Sequence, residues 1–272
     1  MSHDIWNAGQ YLRFEDDRLR PFLDLVAHME TEEDVHSVVD LGCGPGNATA
    51  LLADWWPQAR IVGVDSSPAM IEAARAHELP GDGPGSLVFE VGDIRNWQPA
   101  EPVDVILANA VLQWVPGHLD LVPELARHLA PKGLLGFQVP GNFAEPSHTA
   151  LGELKLRWSD KLPADVDRPG SHDPSVYLHK LVEAGLEPDV WETTYTYVLP
   201  ADPDETVPCG VTEFVRGTAL RPVVTALSPD DASDFVAAYD ALVRKAYPIQ
   251  TIGDRTVQLL PYRRIFAVGH SA

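Results

Sequence analysis

The apolar positions of this chain change their spacing along its length, and the spacing predicts the elements. Residues 37–41 (SVVDL) are a short apolar run, as expected of a strand buried on both faces. Over 48–56 the apolar residues Ala48, Leu51, Leu52 and Trp55 share one helical face, and Pro57 stops the run. Trp55 and Trp56 are read as packing this helix against the sheet. Residues 60–65 (RIVGVD) repeat the strand pattern and 68–77 the helical one, with Pro68 in the first turn, where a missing N–H costs nothing. Runs at 87–92, 103–108 and 134–139 predict strands three to five, with a helix over 119–129 before the last. Such alternation builds a parallel sheet covered by helices on both faces.

Past residue 140 the pattern loosens. Residues 140–175 are rich in Pro, Asp and His, with one helical stretch at 150–159. A helix is predicted over 175–184, stopped by Gly185, and 190–199 (VWETTYTYVL) alternates as a strand does. A Pro- and Asp-rich loop, 200–208, leads to a helical segment at 211–220. Ser228-Pro229-Asp230-Asp231 opens a longer helix reaching about residue 247, with Ser as N-cap, Pro at the first position and acids in the first turn. A strand at 257–268 closes the chain, giving seven strands in all.

Charge narrows the function. In 272 residues there are 40 Asp and Glu against 20 Lys and Arg, a net charge of −20, the wrong sign for a protein that neutralises nucleic-acid phosphates. No apolar run approaches the ~18–20 residues that span a bilayer, and the start, MSHDIWN, has neither a basic nor an apolar signal region. Cys43 and Cys209 are too few for a disulfide framework, which points to a reducing cytoplasm. Ten scattered histidines, with no His-Glu-x-x-His and no Cys-x-x-Cys, give no metal-site signature.

The sharpest local signal is Asp40-Leu41-Gly42-Cys43-Gly44-Pro45-Gly46-Asn47, between a predicted strand and a predicted helix. Glycines there allow a tight turn and close approach of a ligand to the backbone. Asp65 ends the next strand, 19 residues after Gly46, where a carboxylate can accept from two ribose hydroxyls. Together these features predict a nucleoside site. The spacing is not the dinucleotide Gly-x-Gly-x-x-Gly, Pro45 offers no N–H to a phosphate, and Asp40 adds a carboxylate that repels phosphate but suits an ammonium group. Cys43 is read as lining the loop rather than reacting.

DLGCGPGN resembles motif I of the class I S-adenosylmethionine-dependent methyltransferases. That resemblance implies a seven-stranded, mostly parallel Rossmann-like α/β sheet with an antiparallel last strand, and S-adenosylmethionine as cofactor with no metal. It implies Asp40, Gly42, Cys43, Gly44, Asp65 and Ser66 as cofactor-binding residues. Asp93 and Ile94 then hold adenine, and Asn109, with Ala110, lies beside the methionine portion. The similarity extends to the trans-aconitate 2-methyltransferases through VDSSPAMI (64–71), DIRNWQP (93–99), ANAVLQWVPGH (108–118) and QVPGNFAEPSH (138–148). Trp6-Asn7 with Tyr11-Leu12, Leu220-Arg221-Pro222 and Arg264-Ile265-Phe266 add to it; the 200–210 connection departs, looking longer and more acidic. The domain expected is single, 1–272, with a helical cover at 1–30, a cofactor-binding core at 31–140 and substrate-lid insertions at 141–185 and 200–250.

The implied reaction is methylation of a carboxylate of a small tricarboxylic acid. Carboxylic acids ionise near pH 4, so at pH 7 the nucleophile needs no base, and in-line positioning is what the protein must supply. The partner is then a small polycarboxylate, held by Arg20, Arg221 and Arg264, the arginines at family positions, which match carboxylates bidentately. A strong guanidinium grip would dull the attacking oxygen, so Tyr11, Gln113, Trp114, His148 and Tyr195 are the candidates to orient it. Another small-molecule O- or N-methyltransferase is the alternative.

Overall fold

In the computed structural model the apolar runs become strands β1 (Ser37–Leu41), β2 (Arg60–Asp65), β3 (Leu87–Val91), β4 (Val103–Asn109), β5 (Leu129–Pro140), β6 (Glu187–Pro200), β7 (Gln250–Ile252) and β8 (Arg255–His270). The structure describes residues 15–272 apart from 32–33, 80, 82, 164–165, 167–169 and 205. Among the described residues the strands form one sheet in the order β3-β2-β1-β4-β5-β8-β6, with β7 paired to β8. The first five are parallel, and β8 runs antiparallel to both β5 and β6. The fold class read from the sequence is thus present, with one strand more. β7 carries no periodic signal because all three of its residues are exposed.

From β1 the chain steps outward through β2 to β3, then returns to the other side of β1 as β4. That reversal leaves a crevice beyond the C-terminal ends of β1 and β4, where doubly wound sheets bind ligands. Strand alternation loads both faces. Val105, Leu107, Phe266 and Val268 enter one apolar cluster, and Ile106, Ala108, Phe137 and Ile265 the other. The helix Glu15–Ala27 brings Phe22, Leu25 and Val26 onto the first face, and Met29 just beyond it reaches the space left by Gly136.

Helices follow the predicted runs with small shifts. The 48–56 run divides into Asn47–Ala50 and Leu52–Trp55. Trp56 packs against the core, but Trp55 is 46% exposed, so only one of the pair serves the helix–sheet contact. The segment 141–185 splits between the two faces. Pro146–Arg157 packs on Pro229–Ala246 above the first face, whereas Pro174–Glu183 buries Tyr177 and Leu181 in the second cluster, beside His118–Ala126. Its apolar stripe makes it a helix covering the sheet. Between β6 and β8 lie Gly210–Arg216, Arg221–Ala226 and Pro229–Ala246. The predicted 211–220 helix ends at Arg216, before Gly217, and a new helix begins at Arg221 with Pro222 in its first turn.

Candidate active site

The glycine loop after β1 is held by its own backbone. The N–H groups of Gly42 and Cys43 donate to the Val64 carbonyl (2.7 and 3.1 Å), Gly44 N–H to Asp65 Oδ2 (3.0 Å), and Gly46 N–H to the Cys43 carbonyl (3.2 Å). Pro45 has none. No N–H of residues 42–46 is therefore left for a phosphate. Gly42 (φ +79°) and Gly44 (φ +57°) both lie in the left-handed region, yet they differ in what they face. A Cβ on Gly42 would fall 2.5 Å from Val111 Cβ, whereas one on Gly44 would meet nothing within 4 Å. Gly44 therefore floors the crevice. Gly42→Ala is expected to lower stability by about 2–3 kcal/mol through strain and overlap, read by urea denaturation. Gly44→Ala should cost only ~1 kcal/mol while weakening ligand binding; an equal stability loss in both would contradict the assignment.

Two acids serve the loop. Asp65, at the end of β2, lines the crevice and accepts from Gly44 N–H and from Ser67 N–H (2.8 Å), so its carboxylate is oriented from both sides. Asp40 sits behind the loop, 2% exposed, with Oδ2 accepting from the Thr49 hydroxyl (2.6 Å) and Oδ1 buried without a hydrogen-bond donor. Burial, with a smaller contribution from the Asp65 charge, pushes the Asp40 carboxyl up to about 6 despite the Thr49 bond. An orphaned buried carboxylate oxygen behind the loop favours a cationic group over an anionic one. Cys43 is buried, its Sγ 3.6 Å from the Gly44 carbonyl, and burial pushes its thiol well above the ordinary range, so it is unreactive.

Across the crevice three polar side chains stand in a row on β4, β5 and β8. Register pairs Asn109 with Gln138, and Arg264 with Pro140, two residues from Gln138 on the same face. Gln138 Nε2 donates to Asn109 Oδ1 (2.6 Å), and Arg264 Nη1 donates to Gln138 Oε1 (3.4 Å). Arg264 is 6% exposed, with its guanidinium 4.6 Å from the centre of the Tyr262 ring. After Asn109 the backbone turns through Ala110, whose φ of +52° is a strained value for a residue with a side chain. Its N–H donates to the Gln138 carbonyl (2.9 Å), and its carbonyl accepts from Gln113 Nε2 (2.5 Å). Gln113 Oε1 is buried in the wall without a donor. Trp114 completes this side, and Phe214, Thr218 and Tyr262 roof the crevice from the insertion and β8.

Of the residues singled out in the sequence, Gly42, Gly44, Asp65, Ser66, Asn109, Gln113, Trp114 and Arg264 line the crevice together. Asp40 and Cys43 support it from behind. Asp93 instead pairs with Arg95, whose Nε lies 3.0 Å from both carboxylate oxygens, and this holds its carboxyl below the ordinary range; Ile94 is buried beside it, and neither lines the crevice. Arg20 lies over the Tyr195 ring (5.0 Å), and Tyr195 donates to Asp24 Oδ2 (2.5 Å), both away from the crevice lining. His148 is buried within 3.2 Å of Asn142 Nδ2 and of the Ser147 hydroxyl. Arg221 starts its own short helix and lines a separate cleft with Arg216 and Arg244. Tyr11 lies outside the described residues. Gln138, Tyr262 and Phe214 were not foreseen. A glutamine inside the apolar run LLGFQVP was the available signal for the first.

Among the described residues no group of three or more His, Cys, Asp or Glu is placed to hold a metal ion, and no helix is long and apolar enough to cross a membrane. Residues 38–133 match a methyltransferase domain family. Over 97% of its length the chain is 47% identical to the trans-aconitate 2-methyltransferase of Streptomyces avermitilis, covering 96% of that protein. It is 48% identical to the enzyme of the same name from Streptomyces coelicolor, covering 97% of this chain and 86% of that one. Among solved structures, a geranyl diphosphate C-methyltransferase from Streptomyces coelicolor, in complex with Mg2+, geranyl diphosphate and S-adenosyl-L-homocysteine, superposes with a TM-score of 0.53 at 16% identity, over 100% of this chain and 85% of that one.

Proposed function

This chain belongs to the trans-aconitate 2-methyltransferase family, and from that premise we propose that its crevice binds S-adenosylmethionine over the glycine loop and a small tricarboxylic acid beside Arg264. The activity is methylation of a carboxylate of trans-aconitate or a close relative, giving a methyl ester. The observation that carries the donor assignment is the saturation of the loop N–H groups by Val64, Asp65 and Cys43, with a donorless Asp40 oxygen behind them. Such a site takes a ligand whose near end is an ammonium and whose sugar offers hydroxyls to Asp65.

When bound, S-adenosylmethionine supplies a methyl group on a sulfonium, and its transfer to a carboxylate oxygen cancels both charges. The chain itself has three tasks. Asp65 and Gly44 fix the sugar end, Asn109 faces the amino-acid end with the Asp40 charge behind the loop, and Arg264 holds a non-reacting carboxylate. Gln113 and Trp114, on the same crevice wall, orient the reacting group with weaker contacts that leave its nucleophilicity intact. Phe214, Thr218 and Tyr262 keep water from solvating the two charges separately. Adenine recognition by Asp93 requires its carboxylate to leave Arg95, a solvent-exposed pair that costs little to break.

Asp40 gives the donor site a pH dependence. Its folded-state carboxyl ionises near 6, above the ordinary value of 3.8, so the protein without ligand holds an extra proton between those values and loses stability as pH rises through them. An ammonium ligand favours the ionised form. S-adenosylhomocysteine affinity is therefore expected to rise up to about tenfold between pH 5 and 7, and Asp40→Asn should flatten the curve; an unchanged slope in that variant would remove Asp40 from the site. The activity itself is tested with methyl-labelled S-adenosylmethionine and trans-aconitate. A methyl ester that releases volatile labelled methanol on treatment with base is expected, and its absence across a panel of polycarboxylates would overturn the acid assignment.

A further inference from the structure

The row Asn109–Gln138–Arg264 carries an inference that rests on the donor and acid sites just proposed. A guanidinium can only donate hydrogen bonds. The Gln138 atom facing Arg264 Nη1 must therefore be the carboxamide oxygen, which turns Gln138 Nε2 toward β4. Against that N–H2 group Asn109 must present its own oxygen, as it does at 2.6 Å. Asn109 Nδ2 is then left facing the crevice, and no described residue accepts from it. Two carboxamides that could each point either way are thus given one polarity by a cation two strands distant.

The geometry points to Gln138 as a positioning residue through which Arg264, at the acid end, makes Asn109 a donor at the cofactor end, where it meets an acceptor such as the carboxylate of the methionine portion. Register makes this possible. Asn109 and Gln138 are directly opposite on parallel strands, Gln138 and Arg264 are diagonal on antiparallel ones, and all three project to the same face. Gln138 is 1% exposed, so water does not offer the amide an alternative partner.

The test is calorimetric binding of S-adenosylhomocysteine to the full chain with no acid present. Gln138→Glu keeps the volume but accepts at both ends, so Asn109 must turn its N–H2 group inward and show its oxygen to the ligand. Binding is expected to weaken about tenfold, the loss of one hydrogen bond to a charged group. Gln138→Leu, which leaves Asn109 able to rotate, should weaken it less. That order is the signature, because a purely structural role would favour the isosteric glutamate over leucine. In an Asn109→Ala background both substitutions should lose their effect on affinity. Should Gln138→Glu fail to fold in a thermal melt, Arg264→Met replaces it, with a severalfold weakening that also vanishes with Asn109→Ala. Wild-type affinity in Gln138→Glu or, where that variant does not fold, in Arg264→Met overturns the relay, as do effects that simply add to those of Asn109→Ala. If Asp65→Ala still weakens binding in those cases, the donor site stands without the relay. A wild-type chain that binds no S-adenosylhomocysteine overturns the donor site itself, and the relay with it.

Discussion

Arg264→Ala raises the KM for the tricarboxylic acid about hundredfold while kcat at saturating acid changes far less. The size follows from burial. Truncating one partner of a desolvated, hydrogen-bonded charge pair costs about 2–5 kcal/mol, and Arg264 is 6% exposed in a chain of net charge −20 that otherwise repels a polyanion. Stacking on Tyr262 at 4.6 Å and the bond to Gln138 hold the guanidinium plane in place, so little ordering is left to the moment of binding. Arg264→Lys keeps the charge but loses the fork and the stacking, and an intermediate rise, about tenfold, is expected. Initial rates over a range of acid concentrations separate the cases. The same KM in all three proteins would place the acid elsewhere. Arg221→Ala serves as the contrast: from its separate cleft it should leave the KM within about twofold.

Asp65→Ala weakens donor binding by about two orders of magnitude. One carboxylate accepts from Gly44 N–H and Ser67 N–H, and the proposed complex adds the ribose. Its removal takes away the sugar contacts, each worth about 1.5–3 kcal/mol to a charged acceptor, and frees the Gly44 N–H to disturb the loop. Because the loop bonds also carry stability, Asp65→Asn is the sharper variant. It keeps the volume and one acceptor oxygen, and it should retain most of the melting temperature while still losing about tenfold in affinity. Calorimetry with S-adenosylhomocysteine reads both. Wild-type affinity in Asp65→Asn, with a lowered melting temperature, would reduce this residue to a strut of the loop.

What the sequence disclosed was the part of the site built from neighbours in the chain. Gly42, Gly44 and Asp65 could be singled out because a strand, a glycine turn and the next strand end are close in sequence, and each geometry needs a particular residue type; Ser66 came with the family resemblance. The Asn109–Gln138–Arg264 row was not legible, since it depends on the register of three strands whose members lie 126 residues apart between Gln138 and Arg264. Arg221 shows the complementary limit. The match of Leu220-Arg221-Pro222 to family positions carries no direction in space; a new helix begins at Arg221, and the residue lines a different cleft. The same holds for 174–183, whose place on the far face depends on which cluster Tyr177 and Leu181 complete. Local chemistry was readable; side and register were not.

The place of β8 has a consequence for how the nascent chain matures. Of the strands described, β8 is made after the others, yet it ends up between β5 and β6. Until it inserts, β5 presents an open hydrogen-bonding edge, β6 has no partner among the other described strands, and Arg264 is missing from the crevice. The sheet and the crevice therefore close in a single late event, and the unpaired edges before it are where a stalled or shortened product would aggregate or recruit a chaperone.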